Sequence, residues 1–223
     1  RDMVDKLQRV GMAEKADEYL EQWAEKTQSE RTAFYRWWNA SAMNRKVTPR
    51  MHAEYYQRKG WQHLLYGSKK QAVKYFGKMV YAIKGQADME GSIADAVFGC
   101  ILCGEEKAGK KYAKILQEWL EVQRHNSVSK YYDRQKAFLE LRFLAGYYTA
   151  SNEELQAILE EEKKAEICFY CDYAVCKEME AMRILYLLRA DKHEEAKERL
   201  RCCLKKQPQD EYMLAMKHYM EAR

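Results

Sequence analysis

Two C-x-x-C pairs are the first residues whose types and spacing could do chemistry: "CILC", with Cys100 and Cys103, and "CFYC", with Cys168 and Cys171, followed closely by Cys176. Paired thiolates at this spacing supply half of a tetrahedral zinc site. In a βαβ setting they form a thiol–disulfide couple. Zinc knuckles are rich in Gly and polar residues, whereas "CILC" closes an apolar helical run, where a small sulfur side chain acts as core filler. "CFYC" lies near a helix junction. No metal and no cofactor are therefore expected. Any zinc site would have to be built on Cys168, Cys171 and Cys176, and no βαβ pattern surrounds either pair. The five histidines (His52, His63, His125, His193 and His218) show no H-E-x-x-H or other metal-ligand spacing. No G-x-G-x-x-G, P-loop or G-x-S-x-G occurs, and "EELQAILEEEKK" reads as a solvated helix face. No residue is assigned a catalytic role, and the expectation is a protein that is not an enzyme.

Two arginines and several rings carry recognition chemistry instead. Arg58 and Arg189 could hold a ligand carboxylate through two parallel hydrogen bonds, or pair with a neighbouring acid. Trp61, Tyr147 and Tyr148 are either aromatic anchors for a partner or packing between helices. "FYRWW" (34–38) covers every face of a helix, so one of Trp37 and Trp38 is expected to pack and the other is left open.

The elements that must position these groups are helices. The 223 residues hold only two prolines and ten glycines, too few breakers for a strand-rich fold. Hydrophobic residues at 47% can fill a core, and charged residues at 33% suit solvated helix faces. The 39 basic and 34 acidic residues give a net charge of +5, read as a mild bias spread along the chain. Stretches such as "GSKKQAVKYFGK" are interleaved as on a solvated helix, so a nucleic-acid partner is ranked below a protein or peptide partner. No run reaches the ~18 apolar residues of a membrane span, and no signal-peptide pattern is present. Seven cysteines, most of them in apolar helical registers, fit free thiols in a reducing compartment, and the expected location is cytoplasmic. The chain opens at Arg1 rather than Met, so further sequence is expected upstream.

The stretch "YLLRADKHEEAKERLRCCLKKQPQD" (186–210) shows how the helices are arranged. Ala196, Leu200, Cys203 and Leu204 share one helix face. Asp191, with Glu194 three residues on, is placed to cap that helix. Pro208 ends it, and Ala196 is the small residue that lets two helices joined by a short turn touch. The same signature recurs around Gly67 with Ala72, Phe76 and Met79, and around Gly104 with Ala108, Tyr112 and Ile115. It recurs again around Ala150–Asn152 with Leu155 and Leu159, and near the amino terminus with Gly11, Ala16, Leu20 and Trp23.

This pattern resembles the tetratricopeptide repeat, in degenerate form. The copy at 53–84 carries Tyr56, Gly60, Gly67, Ala72 and Phe76, and the copy at 89–120 carries Ala96, Gly104, Ala108 and Tyr112. The copy at 177–208 carries Asp191, Ala196, Leu200, Cys203 and Pro208. Ala72 and Ala108 lie 36 residues apart, near the family's period of about 34, while the intervals on to Leu155 and Ala196 are 47 and 41. The resemblance implies an all-α fold, a right-handed α-solenoid of antiparallel helix pairs. It makes one domain over 1–223, with repeats near 1–27, 53–84, 89–125, 130–165 and 172–208 and a final helix at 210–223. In the family the first helices line a concave groove. Projected here, that wall takes Gln57, Arg58, Trp61, Leu64 and Leu65, then Ile93, Val97, Cys100 and Ile101. Glu140, Leu144, Tyr147 and Tyr148 follow, then Ala181, Leu185 and Arg189. The implied function is a non-catalytic scaffold that binds a protein or peptide. The alternatives are the ligand- or peptide-sensing domain of a larger regulator whose output domain lies upstream, or a nucleic-acid-binding solenoid. The half-repeat "DEYMLAMKHYMEAR" either caps the stack or joins a second copy, which leaves the oligomeric state open.

Overall fold

The computed structural model describes residue 7 and residues 12–27, 35–36, 48–86, 89–125, 136–161 and 177–222. Among them every regular element is a helix: α1 (Ala13–Thr27), α2 (Pro49–Tyr66), α3 (Lys69–Ile83), α4 (Glu90–Cys103), α5 (Glu106–His125), α6 (Lys136–Gly146), α7 (Asn152–Glu161), α8 (Lys177–Arg189), α9 (His193–Lys206) and α10 (Glu211–Glu221). The all-helical expectation therefore holds for these residues. The chain divides into two compact units, Arg1–Ser92 and Ile93–Arg223. Trp37, Trp38, Cys168, Cys171 and Cys176 lie outside the described residues.

In the first unit, Thr48 starts α2. Its hydroxyl accepts the Met51 amide at 3.2 Å, and Pro49 fills the first helical position, where a missing N–H costs nothing. Gly67 and Ser68 make the turn, and α3 runs back along α2. Ala72, Phe76, Met79, Val80 and Ile83 form its buried stripe. The approach is closest at Gly60, where a Cβ would lie 2.6 Å from the Phe76 ring. Trp61 meets the same ring edge-on at 6.4 Å. Gly60→Ala should therefore lower unit 1 stability by about 1–2 kcal/mol, because overpacking outweighs the better helix propensity of Ala. A urea midpoint that stays level or rises would show that Phe76 yields freely. On α1, Ala16 and Leu20 are fully buried with Tyr35, flanked by Leu7 and Trp23. Arg36 ties α1 to α2 by pairing with Glu21 (3.2 Å) and Glu54 (2.6 Å).

In the second unit two turns share one construction. Gly104 (φ 73°) follows α4, and the Glu105 amide reaches back to the Cys100 carbonyl at 2.9 Å. Asp191 (φ 60°) follows α8, and the Lys192 amide reaches the Leu187 carbonyl at 2.8 Å. Both are left-handed closures of the preceding helix. This corrects the capping role expected of Asp191. It is spent on ending α8, and its carboxylate pairs with His193 at 2.9 Å. The residue that precedes α9 is Lys192, which makes no side-chain cap. Between α6 and α7, Ser151 and Glu154 form a reciprocal capping box: the Glu154 amide donates to the Ser151 hydroxyl at 3.2 Å and the Ser151 amide to the Glu154 carboxylate at 2.7 Å. As Pro208 requires, α9 stops at Lys206.

Within this unit, α4 is buried from Ile93 to Leu102 on every side, as a helix apolar all round should be. α8 packs against α6, α7, α9 and α10. The first and last helices also meet: the Tyr212 hydroxyl donates to Asp95 at 2.8 Å across 117 residues, and Phe98 lies 5.0 Å from the Tyr212 ring. α10 buries Met213, Ala215 and Met216, so the half-repeat covers helices of its own chain.

Candidate functional site

The residues projected onto a groove fall in both units, and many of them are core. Trp61 is 3% exposed, Leu65 7%, and Val97 and Leu144 are fully buried. Ile93, Cys100, Ile101, Ala181 and Leu185 join them. In their place as wall residues they are corrected to packing. The projection gave each first helix a free inner face, and α4 has none from Ile93 to Leu102. Leu64 is half-buried. Arg189 is committed to backbone: its guanidinium donates to the Tyr147 carbonyl, and to that of Ala150 at 2.6 Å, and it sits 5.6 Å from the Tyr147 ring. It holds the turn after α6, in place of the carboxylate expected of it. Tyr147 and Tyr148 are half-buried and stand edge-to-face at 5.2 Å. The Tyr148 hydroxyl fills the space over Gly109, where a Cβ would fall 2.0 Å from it. The small residue that admits this contact is thus Gly109, beside the Ala108 that the repeat pattern selected. Glu140 is half-buried on α6, and its charge acts on Tyr212. Gln57 and Arg58 are half-buried. With Arg36, Arg50, Glu21 and Glu54 they line a polar cavity of about 940 Å³ in the first unit.

The second unit has its own cavity of about 740 Å³, lined by α8, α9 and α10. At its base is Glu180, 7% exposed. Burial pushes its carboxyl upward, but hydrogen bonds and charge from Arg199 (2.6 and 2.9 Å) and Arg183 (3.0 Å) outweigh that, leaving it below the usual range. The rim acids are compensated as well: Glu194 by Lys197, Glu195 by Lys192 and Glu198 by Arg201. This cavity therefore has little charge with which to select a ligand. Cys100, the thiol of "CILC", is buried, and burial raises its pKa to about 12, so it is held as the protonated thiol. Among the described residues no group of three His, Cys, Asp or Glu is placed to hold a metal ion, and no helix is long and apolar enough to cross a membrane.

Basic charge is concentrated on the α2–α3 pair. Residues 49–84 contain eight lysines and arginines against one carboxylate, Glu54, which leaves 31 basic and 33 acidic residues in the rest of the chain. The positive charge is therefore concentrated, which corrects the even spread first read from composition. Lys70, Lys74 and Lys78 recur every fourth residue along the exposed face of α3. None of them, nor Lys69 or Lys84, forms an ion pair with a described carboxylate. Beside this stripe runs a row of half-buried rings. His52 lies 6.2 Å from Tyr56 at 19°, Tyr56 6.3 Å from Tyr75 at 31°, and Tyr75 5.4 Å from His63 at 5°. The Lys78 ammonium sits 5.4 Å from both the Tyr56 and Tyr75 centroids, joining cations to rings. Tyr66 and Tyr81, 75% and 86% exposed, stand on the same two helices. The sequence signal for this face was a local one: the charge balance over 49–84 and the four-residue spacing of His52 with Tyr56 and of the three lysines. Compared with known protein families, curated proteins and solved structures, the chain matches none.

Proposed function

We propose that this chain is a non-catalytic, TPR-like helical-repeat binding module that holds an anionic, chain-like partner on the α2–α3 face. One observation supports this above the rest: the stripe of Lys70, Lys74 and Lys78, without acidic partners among the described residues, alongside a row of aromatic rings. Unpaired lysines on one face repel each other and raise the local concentration of anions. Exposed side chains without acidic partners are free to serve recognition. The family resemblance points the same way, since such helix pairs commonly serve as binding surfaces.

The test is a triple variant, Lys70→Gln, Lys74→Gln and Lys78→Gln, compared with the parent chain. Binding would be measured at low salt to two anionic polymers, polyglutamate and a single-stranded oligonucleotide. Helicity should be unchanged, because all three lysines are exposed, and affinity for the bound polymer should fall at least tenfold. If the parent binds neither polymer, or the variant binds as well as the parent, the reading fails.

A further inference from the structure

From the row of rings beside the lysines we infer that the partner is single-stranded nucleic acid, with its bases on the rings and its phosphates on the α3 lysines. This rests on the anionic-partner reading above and names its chemistry. The argument turns on what a lysine stripe alone would select and what the rings add. Lysines by themselves attract any polyanion. A carboxylate approaching the face of a tyrosine ring meets the negative side of its quadrupole, so rings set among the cations work against an acidic peptide. A base has a π-face of its own and stacks on such a ring whatever its sequence, which is how single strands are held where aromatics and cations share a groove.

The geometry suits that partner. His52, Tyr56, Tyr75 and His63 follow one another at 5.4–6.3 Å with interplanar angles of 31° or less, which makes a run of similarly oriented rings where a random cluster would vary. Lys78 bridges two of them. Tyr66 and Tyr81 offer further rings that are almost wholly in solvent. The 15 residues of α3 span about 22 Å, room for about six nucleotides at the stacked rise of 3.4 Å. That lies within the range of known single-strand sites. A duplex would present its phosphates to the lysines but keep its base faces inside its own stack, so the rings would go unused.

The experiment is fluorescence anisotropy on the full chain with labelled 12-mers: single-stranded, the same strand fully abasic, and duplex, with polyglutamate and phosphatidylserine vesicles alongside. The single strand should bind at least tenfold tighter than the abasic strand of equal charge. Its log–log salt slope should be about −3, the value for roughly four phosphates neutralised on a single strand. Tyr66→Ser with Tyr81→Ser changes only exposed rings and so leaves the fold intact. It should narrow the gap between normal and abasic strands while keeping the salt slope. Tyr56→Leu, with helicity checked, should narrow it further. Equal binding of normal and abasic strands, a preference for duplex, or binding of polyglutamate in place of the strand would overturn this inference while the anionic-partner reading stands. Binding to vesicles alone, or to nothing on the panel, would overturn both.

Discussion

Trp61→Ala should cost the first unit about 3–5 kcal/mol, the range for truncating a large ring in a packed core. Trp61 is 3% exposed and stands perpendicular to Phe76, which in turn lies against Gly60. Removing the indole therefore leaves space between α2 and α3 that neither helix can close, because Gly60 has already brought them as near as Phe76 allows. Equilibrium urea unfolding followed by circular dichroism would show a first transition moved to a lower midpoint at unchanged slope. Lys74→Gln, on α3 and exposed, should leave the midpoint within about 0.5 kcal/mol of the parent. A Trp61→Ala protein of parental stability that had lost binding to a partner would return the indole to the surface and undo the packing described here. The consequence for function is direct: any loss of binding in that variant would report unfolding, so the rings to change in a binding assay are Tyr66 and Tyr81.

How far the sequence could be read follows from which physical signals are local. The helices themselves were legible because apolar periodicity, scarce breakers and the turn residues Gly104, Ser151 and Pro208 all act within a few positions. Gly60 against Phe76 and the buried Ala72, Leu155 and Ala196 also follow from spacing, since a small residue facing a large one is written in the register of two adjacent helices. What could not be read is which side of a helix a distant element will cover. Val97 looks like a wall residue if α4 has one neighbour. It is buried because α4 is covered on all sides and α10 returns across 117 residues to place Tyr212 on Asp95. The run "IADAVFGCIL" did carry a warning, being apolar on every face with Asp95 as its one charge. Arg189 shows the same limit: its guanidinium has the right chemistry for a carboxylate, and only the folded turn reveals that the Tyr147 and Ala150 carbonyls already occupy it. The α2–α3 face was hidden for a different reason. Charge was summed over the whole chain, where the acids outside 49–84 cancel it, while a binding surface responds to charge within about a Debye length, roughly 8–10 Å.

The second unit should lose stability steeply between pH 9 and pH 12, with Cys100 as the largest identifiable source. Its thiol is raised from 9.0 to about 12 by burial first, and then by the neighbouring charges of Cys103 and Glu105. A group whose folded pKa is raised stabilises the fold fully below its unfolded value, and that contribution drains away as pH rises toward the folded value. In this window the unfolded chain has released the proton and the folded chain has not. The loss is about 1.4 kcal/mol per pH unit above 9, approaching 4 kcal/mol at pH 12. Tyr212, held well up by burial and by Asp95, adds to it once unfolded tyrosines ionise near pH 10, and so do Tyr148 and Tyr112, both raised chiefly by burial. Urea unfolding at pH 8, 9, 10 and 11 under reducing conditions would measure the slope. Cys100→Ala isolates its source: that variant should start lower at pH 8 but fall less steeply, so that the two curves converge as pH rises. Parallel curves would mean that Cys100 is not buried as described. The same burial keeps the Cys100 thiol protonated at neutral pH. In this helix the cysteine is a small apolar side chain, and its spacing from Cys103 reflects the pitch of a covered helix.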